Sequence, residues 1–341
     1  MLSEPQTLNV ANSGNFTVNA TATSTQISTA SAVGMSFLAA IDPTTLPPEE
    51  GGGGNGNGGG GHGGGGGGGE EPATTLSNLL DPAALEAPTD EEVEDPWEGW
   101  TNRISGSVGN SGTLAVTATA TGASTAADAV GVEFESAVNT ATFTNTGTIR
   151  ATAITNGGSS QATGIEVRDF AISPVVPGST DRMTIINSGG TIIARESING
   201  GISFRRGTAI DTRFAPNPVD IRFLGASNVF GNIRLGAPDT ITIVSGTTTL
   251  DGIINPAGAV MEESRVAVTH TTTPLVGSLT VANGATLFLV NQPNGNANYD
   301  GPARVNVDSF TLASGSTLRL QMPSATTAIA AQGSYPTITA N

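Results

Sequence analysis

Several residue types are absent or rare in this chain of 341 residues, and each gap excludes a class of site. Cysteine is absent, which excludes a disulfide scaffold and cysteine metal sites. The two histidines are His62, within a glycine run, and His270, within a threonine-rich stretch, and no G-x-S-x-G, HExxH or P-loop pattern accompanies them. The sequence therefore predicts no catalytic residue, no metal site and no cofactor.

Charge and hydropathy argue against two further kinds of partner. The thirteen basic residues are all arginine, and the formal net charge is −16. An acidic chain of this kind disfavours nucleic acid or an anionic membrane as a partner. No stretch approaches the roughly 20 apolar residues of a membrane-spanning helix, and no signal peptide opens the chain. The chain begins and ends within a repeat pattern, so we expect it to be part of a longer protein.

A phrase of the form Asn-Ser/Thr-Gly occurs four times and organises the sequence. An apolar residue stands two positions before each asparagine, and an alternating apolar stretch follows each glycine. After a loop, a second stretch of the form Ala-x-Gly-x-x-Phe/Val follows in three of the four copies. The asparagines are Asn12, Asn110, Asn145 and Asn187, preceded by Val10, Val108, Phe143 and Ile185.

The repeat predicts an all-β fold, a right-handed parallel β-helix (solenoid) of roughly eight rungs, each rung being one turn of three strands. Alternation with period two is typical of half-buried strands. One rung cannot bury its apolar face alone, whereas stacked rungs close a continuous core. Asparagine and glycine tolerate the backbone of a sharp corner, and stacked asparagines can bond along the stack. A propeller needs four strands per unit and a sandwich needs no repeated phrase, so we rank both lower.

One long insertion interrupts the first rung. Residues 40–103 contain a glycine run and an acidic tract, and they hold 13 of the 29 acidic residues and one arginine, hence −12 of the net charge of −16. Such a composition predicts a flexible, disordered tether. The predicted organisation is a first rung at 1–39, the insertion at 40–103, β-helix at 104–274 and C-terminal rungs at 275–341.

Both tryptophans, Trp97 and Trp100, end the acidic tract of the insertion. Two interpretations stay open. In the first, the insertion is a disordered loop whose tryptophans pack back on the rod. In the second, it is a mobile binding element whose tryptophans anchor a partner. The acidic residues lack the D-x-D-x-D-G spacing of a dedicated Ca²⁺ loop, so they predict loose Ca²⁺ binding at most.

Charged residues recur on the outer side of the second stretch, because alternation points the residues between them inward. Stacked carboxylates repel one another unless they are neutralised. We weigh a surface ion-pair ladder against a polysaccharide-active site, since polysaccharide lyases on β-helices use carboxylates and arginine, and against a Ca²⁺ or glycan site. Alignment of three copies places Glu133, Glu166 and Asp211 in one column and Glu135, Arg168 and Arg213 in the next.

The phrases A-x-G-I-x-V and N-x-G-T-I-x-A, with the segments 228–236 and 239–243, resemble the passenger domains of Gram-negative autotransporters (type V secretion). The resemblance covers the chain except the insertion. It implies export across the inner membrane, passage through a C-terminal outer-membrane β-barrel translocator, and display at the cell surface. It also implies that residues 275–341 are the last passenger rungs, which nucleate folding in an autochaperone-like way.

We therefore expect a structural stalk or adhesin-like binding module with no catalysis of its own, whose ligand is a host or surface glycan or protein. The alternative is a polysaccharide-active β-helix enzyme, a lyase or hydrolase, that uses outer-face carboxylates and arginines. The candidate binding surface consists of Trp97, Trp100, Glu133, Glu166, Asp211, Arg168 and Arg213.

Overall fold

The computed structural model describes residues 6–38, 103–136, 138–168, 181–261, 267–270, 275–290, 301–321 and 336–341. The regular secondary structure of these residues is entirely β-strand, and none of them forms a helix long and apolar enough to cross a membrane. The predicted insertion lies outside the described residues except for Arg103, and so do His62, Trp97 and Trp100.

The first sheet contains the strands that lead into the asparagine corners. Its main path has eight strands, all paired in parallel. The register aligns Val10, Val108, Phe143 and Ile185 in one column, as the repeat predicts. The strands are β1 (Gln6–Asn12), β4 (Arg103–Asn110), β8 (Thr142–Asn145), β11 (Met183–Ser188), β15 (Val219–Leu224), β18 (Thr240–Ile243), β23 (Ser278–Val281) and β26 (Ser309–Leu312), with β7 (Val138–Asn139) paired to β4.

The second sheet contains the strands that follow the corners. Eight parallel strands again form its path, and one short antiparallel strand joins its fourth member. The strands are β2 (Asn15–Thr23), β5 (Thr113–Thr121), β9 (Thr148–Thr155), β12 (Thr191–Ser197), β16 (Ala226–Phe230), β19 (Thr247–Asp251), β24 (Thr286–Leu289) and β27 (Thr317–Leu320), with β13 (Arg205–Arg206) antiparallel to β12.

The third sheet completes each rung, so the described residues form eight rungs of a parallel β-helix, as predicted. One antiparallel hairpin, β21 (Gly258–Met261) with β22 (Ala267–His270), stands outside the three sheets. The strands of the third sheet are β3 (Ile27–Leu38), β6 (Ser124–Glu135), β10 (Ser159–Arg168), β14 (Thr208–Phe214), β17 (Asn232–Arg234), β20 (Ile253–Ile254), β25 (Arg304–Asn306) and β28 (Thr337–Thr339).

The core fills the space between the sheets with inward side chains of successive rungs. Phe134 is stacked on Phe37 at a centroid distance of 5.0 Å and lies edge-on to Phe143 at 5.9 Å. These contacts join three successive rungs. Alternation with period two predicts that six side chains of β5, β6, β9 and β10 point inward, and each is at most 1% exposed, which confirms the prediction: Val116, Val132, Phe134, Ile149, Ile165 and Val167.

The corner asparagines form a continuous chain of side-chain hydrogen bonds, as their stacking predicts. Asn12 Nδ2 donates to Asn110 Oδ1 at 2.8 Å, and Asn110 Nδ2 donates to Asn145 Oδ1 at 2.7 Å. Asn145 Nδ2 donates to Asn187 Oδ1 at 2.7 Å, and Asn187 Nδ2 ends the series on the carbonyl of Gly190 at 2.8 Å. The series stops there because Phe223 occupies the corner of the next rung.

The glycine of the Ala-x-Gly phrase lies at a bend of the third-sheet strands β3, β6 and β10. A Cβ on Gly164 would lie 2.5 Å from the carbonyl oxygen of Ala209 and 2.8 Å from Ile192 Cγ2. Gly34 and Gly131 are crowded in the same way by the rung that follows each of them. The alternation of inward and outward side chains also shifts by one residue at this bend. Ala129 and Val132 are both buried, although strict alternation would place residues three positions apart on opposite faces.

The C-terminal rungs keep the predicted register. Leu279 pairs with Phe310 and Leu287 with Leu318. The predicted inward residues of the seventh rung, which include Val281 and Leu289, are buried. In the eighth rung, Leu312 is 46% and Leu320 42% exposed, because no further described rung covers the edge strands β26 and β27.

Candidate functional site

Three predicted carboxylates meet on the outer face of the third sheet. Glu133 of β6, Glu166 of β10 and Asp211 of β14 are direct register partners, as the alignment predicts. Val132 and Phe134 flank Glu133 and point inward. They anchor this register because they are fully buried. The core thus fixes which side chains share the outer column.

In the second predicted column, the positions of Glu135 and Arg168 are confirmed and that of Arg213 is not. Arg168 is the register partner of Glu135 in β6. Toward β14 the register shifts between Glu166 and Arg168, so that Phe214 instead of Arg213 lies opposite Arg168. The predicted place of Arg213 is therefore wrong, and the cause is a bulge that adds one residue to β14 at this point.

The Arg213 side chain pairs with Asp211, a residue of its own strand. Its Nη2 lies 2.7 Å from Asp211 Oδ2 and its Nε 2.9 Å from Asp211 Oδ1, a bidentate pair of the kind that guanidinium and carboxylate groups favour. The guanidinium also lies 5.0 Å from the centre of the Phe214 ring. Asp211 is neutralised locally and does not depend on Arg168.

Arg168 bridges the remaining carboxylates. Its Nη2 lies 2.6 Å from Glu133 Oε1 and 3.2 Å from Glu135 Oε2, whereas its Nη1 is 4.0 Å from Glu166 Oε1. The ion-pair cluster is not a fully exposed ladder, since Glu133 is 6% and Asp211 7% exposed. Arg168 thus covers carboxylates that are largely withdrawn from water.

Burial changes the proton affinity of this cluster. It raises the pKa of Glu166 to about 7, against the opposing effect of Arg168 and with help from Asp211, Glu133 and Asp128. Burial, followed by the charge of Glu133, also raises the pKa of Asp128, while Arg168 opposes the rise. Glu166 is therefore a carboxyl that gains or loses a proton near neutral pH.

Two further charged residues belong to the cluster although the alignment of the repeats did not include them. Asp128 lies five residues before Glu133, a spacing that simple alternation assigns to opposite faces of a strand. The phase shift at the Gly131 bend brings both to the outer side, and the Oδ1 of Asp128 is a buried atom without a hydrogen-bond partner. Arg234 of β17 is the register partner of Asp211 and extends the column by one rung.

A second buried carboxyl lies between β14 and β18. Asp239 Oδ1 accepts the Val219 amide at 2.8 Å, and its Oδ2 accepts the Gly236 amide at 2.7 Å and the Thr212 hydroxyl at 2.6 Å. Burial raises the pKa of Asp239 to about 7, although these hydrogen bonds lower it. Asp239 closes a turn between rungs, which is a structural role.

Among the described residues, no group of three or more His, Cys, Asp or Glu side chains is arranged to hold a metal ion. His270 ends β22 in the hairpin outside the sheets, and the other predicted candidates, Trp97 and Trp100, lie outside the described residues. The third-sheet cluster can therefore pair charges, exchange a proton at Glu166 or contact a polar ligand through Arg168.

The chain was compared with protein-family models, curated proteins and solved structures. No match was found to any family model, to any curated protein or to any solved structure.

Proposed function

We propose that this chain is a stalk or adhesin-like binding module of a surface-displayed passenger, with no catalysis of its own. The observation that carries the proposal is the unbroken stack of eight rungs, with the core residues of each rung packed on the next. A continuous solenoid spans distance and presents flat outer faces, which suits a spacer that also binds. The charged residues on the third sheet are mostly neutralised by their own arginines, as in a structural ion-pair network.

The resemblance of the repeated motifs to those of autotransporter passengers supports the cellular setting. The A-x-G-I-x-V phrase that carries the resemblance corresponds to the crowded glycine bend, and the N-x-G-T-I-x-A phrase corresponds to the asparagine corner. Under this proposal the partner is a C-terminal outer-membrane β-barrel translocator, and the location is the surface of a Gram-negative cell. A cysteine-free chain suits threading in the unfolded state.

Labelling of intact cells tests this proposal. Cells that produce the protein from its complete reading frame are stained with an antibody raised against residues 104–274, before and after lysis. We expect most of the signal on intact cells, and brief treatment of those cells with protease should remove it. A signal that appears only after lysis would reject surface display.

A polysaccharide-active enzyme is the second candidate, and Glu166 is the observation that favours it. A carboxyl with a pKa of about 7 beside other carboxylates is suited to donate a proton to a leaving group. Incubation with a panel of glycans, followed by assay for new reducing or unsaturated ends, tests this candidate. Activity that Glu166→Gln abolishes would support it, and a complete lack of new ends would leave the binding module as the function.

A further inference from the structure

The outer face of the second sheet carries two arginines that no carboxylate neutralises. Arg150 of β9 is exposed and has no ion pair or hydrogen bond within the described part of the chain. Arg195 of β12 lies diagonally from it, since Arg150 pairs with Ile193 and Thr152 with Arg195. Strand spacing and rise place their Cα atoms about 8 Å apart.

The surroundings of Arg195 disfavour its positive charge. Burial, and then the charge of Arg150, lowers the pKa of Arg195, and no carboxylate acts in the opposite direction. This arrangement is unusual in a chain with 29 acidic and 13 basic residues. By contrast, six other arginines each lie within 4.0 Å of a carboxylate: Arg168, Arg182, Arg205, Arg206, Arg213 and Arg222.

Contacts with neighbouring side chains hold Arg195 in place. Its Nε donates to Thr152 Oγ1 at 3.3 Å, and its guanidinium lies 4.5 Å from the centre of the Phe204 ring. Arg205 does not add to the unpaired charge, because its Nη2 lies 3.0 Å from Glu196 Oε2. The positive surface is therefore local, and the position of Arg195 is set before any ligand arrives.

The loop at residues 197–204 borders Arg195 through Phe204. Asn199 Oδ1 accepts the Ser197 hydroxyl at 2.8 Å and the Ser203 amide at 3.1 Å, and Asn199 Nδ2 donates to Ser203 Oγ at 2.6 Å. A Cβ on Gly201 would lie 3.8 Å from Ile154 Cδ1 and 3.9 Å from Phe204 Cζ, so the loop backbone rests close to the sheet. These hydrogen bonds hold the loop that carries Phe204 beside Arg195.

We propose that this surface, the arginine strip of Arg150, Thr152, Arg195 and Phe204, binds an acidic polysaccharide through its carboxylate or sulfate groups. The guanidinium fork binds such groups in bidentate fashion, and the stack on Phe204 fixes its orientation. Two arginines about 8 Å apart on the outer face of a sheet fit an extended chain better than a compact molecule. The proposal rests on the binding-module function and names its ligand class.

Hydroxyl groups extend the same face beyond the arginines. Thr117 of β5 is the register partner of Thr152, and Thr113 and Thr191 flank Thr148 in the neighbouring column. Thr152 is only 3% exposed and supports Arg195 from below. The other threonines lie on the same outer side of the sheet, are at least partly exposed, and can exchange hydrogen bonds with sugar hydroxyls. A polysaccharide lying across the rungs would thus meet arginine and hydroxyl donors on one continuous surface.

Binding of defined polysaccharides to the purified full chain tests the proposal. The probes are polygalacturonate for carboxylates, heparin for sulfates and dextran as a neutral chain, measured by calorimetry at low and high salt. We expect binding to at least one acidic probe and none to dextran, with weaker binding at high salt. Arg150→Ser and Arg195→Ser should each reduce the affinity by about tenfold or more, the effect of losing one charge-assisted hydrogen bond.

Two control variants make the outcome decisive. Arg222→Ser removes an arginine of the first sheet whose side chain is 50% exposed, and it should leave binding unchanged. Ile202→Ser removes an 87% exposed aliphatic side chain from the loop, and it should also have no effect. Equal losses in Arg150→Ser and Arg222→Ser, or no binding to either acidic probe, would overturn the proposal. A loss of polysaccharide binding in Ile202→Ser, with Arg150→Ser and Arg195→Ser unaffected, would place the binding on the loop and would also overturn the proposal.

The variants also separate folding from binding. Arg150→Ser changes an exposed residue without a described partner, so its urea midpoint should match that of the unaltered chain. Surface display on intact cells together with absent polysaccharide binding would reject the arginine strip and leave the proposed function standing. Polysaccharide binding without surface display would do the reverse.

Discussion

At the scale of single residues, buried polar groups decide much of this structure. Asn110, Asn145 and Asn187 are almost fully buried, yet each side chain has a partner in the next rung or turn. A buried amide without partners costs free energy, whereas a series of paired amides fixes the corner geometry. The repeated asparagine is thus explained by hydrogen bonding between rungs, in addition to its tolerance of turns.

Substitution of Asn145 by Ala should lower stability markedly. The change leaves Asn187 Oδ1 without its donor and leaves Asn110 Nδ2 with only the Thr148 carbonyl oxygen, at 3.4 Å, and an unpaired buried group costs roughly 1–3 kcal/mol. Urea unfolding followed by circular dichroism measures the change. Asn12→Ala, at the less buried start of the series, is the control and should cost less. Equal losses in the two variants would show that the hydrogen bonds of Asn145 contribute no more to stability than that of Asn12.

The free energy of unfolding should fall as the pH rises, because the Glu166 carboxyl then has to ionise. Its pKa is raised from 4.5 to about 7 in the folded chain, so the folded state holds the proton more tightly than the unfolded state. The free energy of unfolding therefore decreases from about pH 4.5 to about pH 7, where the buried group must ionise. Asp239 contributes in the same direction, because its pKa is also raised to about 7.

The variant Glu166→Gln tests this dependence, because glutamine does not titrate. We expect its advantage over the unaltered chain in urea unfolding to grow between about pH 5 and about pH 8. Glu135→Gln removes a carboxylate from the same cluster and controls for the general loss of one negative charge. A pH profile of Glu166→Gln that runs parallel to that of the unaltered chain would refute the assigned titration.

At the scale of the strand, the glycine bend explains a phrase that alternation alone leaves unexplained. Successive third-sheet strands approach so closely at Gly34, Gly131 and Gly164 that no Cβ fits between them. The bend also resets the inward phase, which is why Asp128 and Glu133 share the outer face. Strict alternation with period two would have placed these two carboxylates on opposite faces of the strand.

Substitution of Gly164 by Ala should therefore be costly despite its small size. The new methyl group would lie 2.5 Å from the Ala209 carbonyl oxygen and 2.8 Å from Ile192 Cγ2, and overpacking of this kind costs typically about 1–3 kcal/mol. Gly14→Ala is the matched control, since a Cβ there meets no atom within 4 Å. Thermal unfolding of both variants gives the comparison. A Gly164→Ala variant as stable as Gly14→Ala would contradict the crowded bend.

At the scale of the whole molecule, the rungs on both sides of the insertion pair directly. β1, β2 and β3 are in register with β4, β5 and β6 along their full shared length. Such pairing joins residues about one hundred positions apart, and the entropy of closing a loop grows only slowly with its length. The first rung can thus form against the second across an insertion of any length.

Deletion of residues 42–100 should leave the β-helix folded. The strand pairs that bracket the deletion supply the contacts, and a shorter connection costs little entropy. Far-ultraviolet circular dichroism and the melting temperature of the deletion variant provide the measurement, with the complete chain as reference. Loss of the β signal would show that the insertion takes part in folding.

Repetition along the chain was sufficient to predict the solenoid, the corner asparagines, the inward phase and the stacking of Glu133, Glu166 and Asp211. These features follow from period-two alternation and from self-similarity, and both are visible in short windows of sequence. The bulge that displaces Arg213, the burial that raises the pKa of Glu166 and the unpaired Arg150 beside Arg195 could not be predicted in that way. They depend on which side chains of separate rungs come together and how much water is excluded between them, and those quantities exist only once the rungs are stacked.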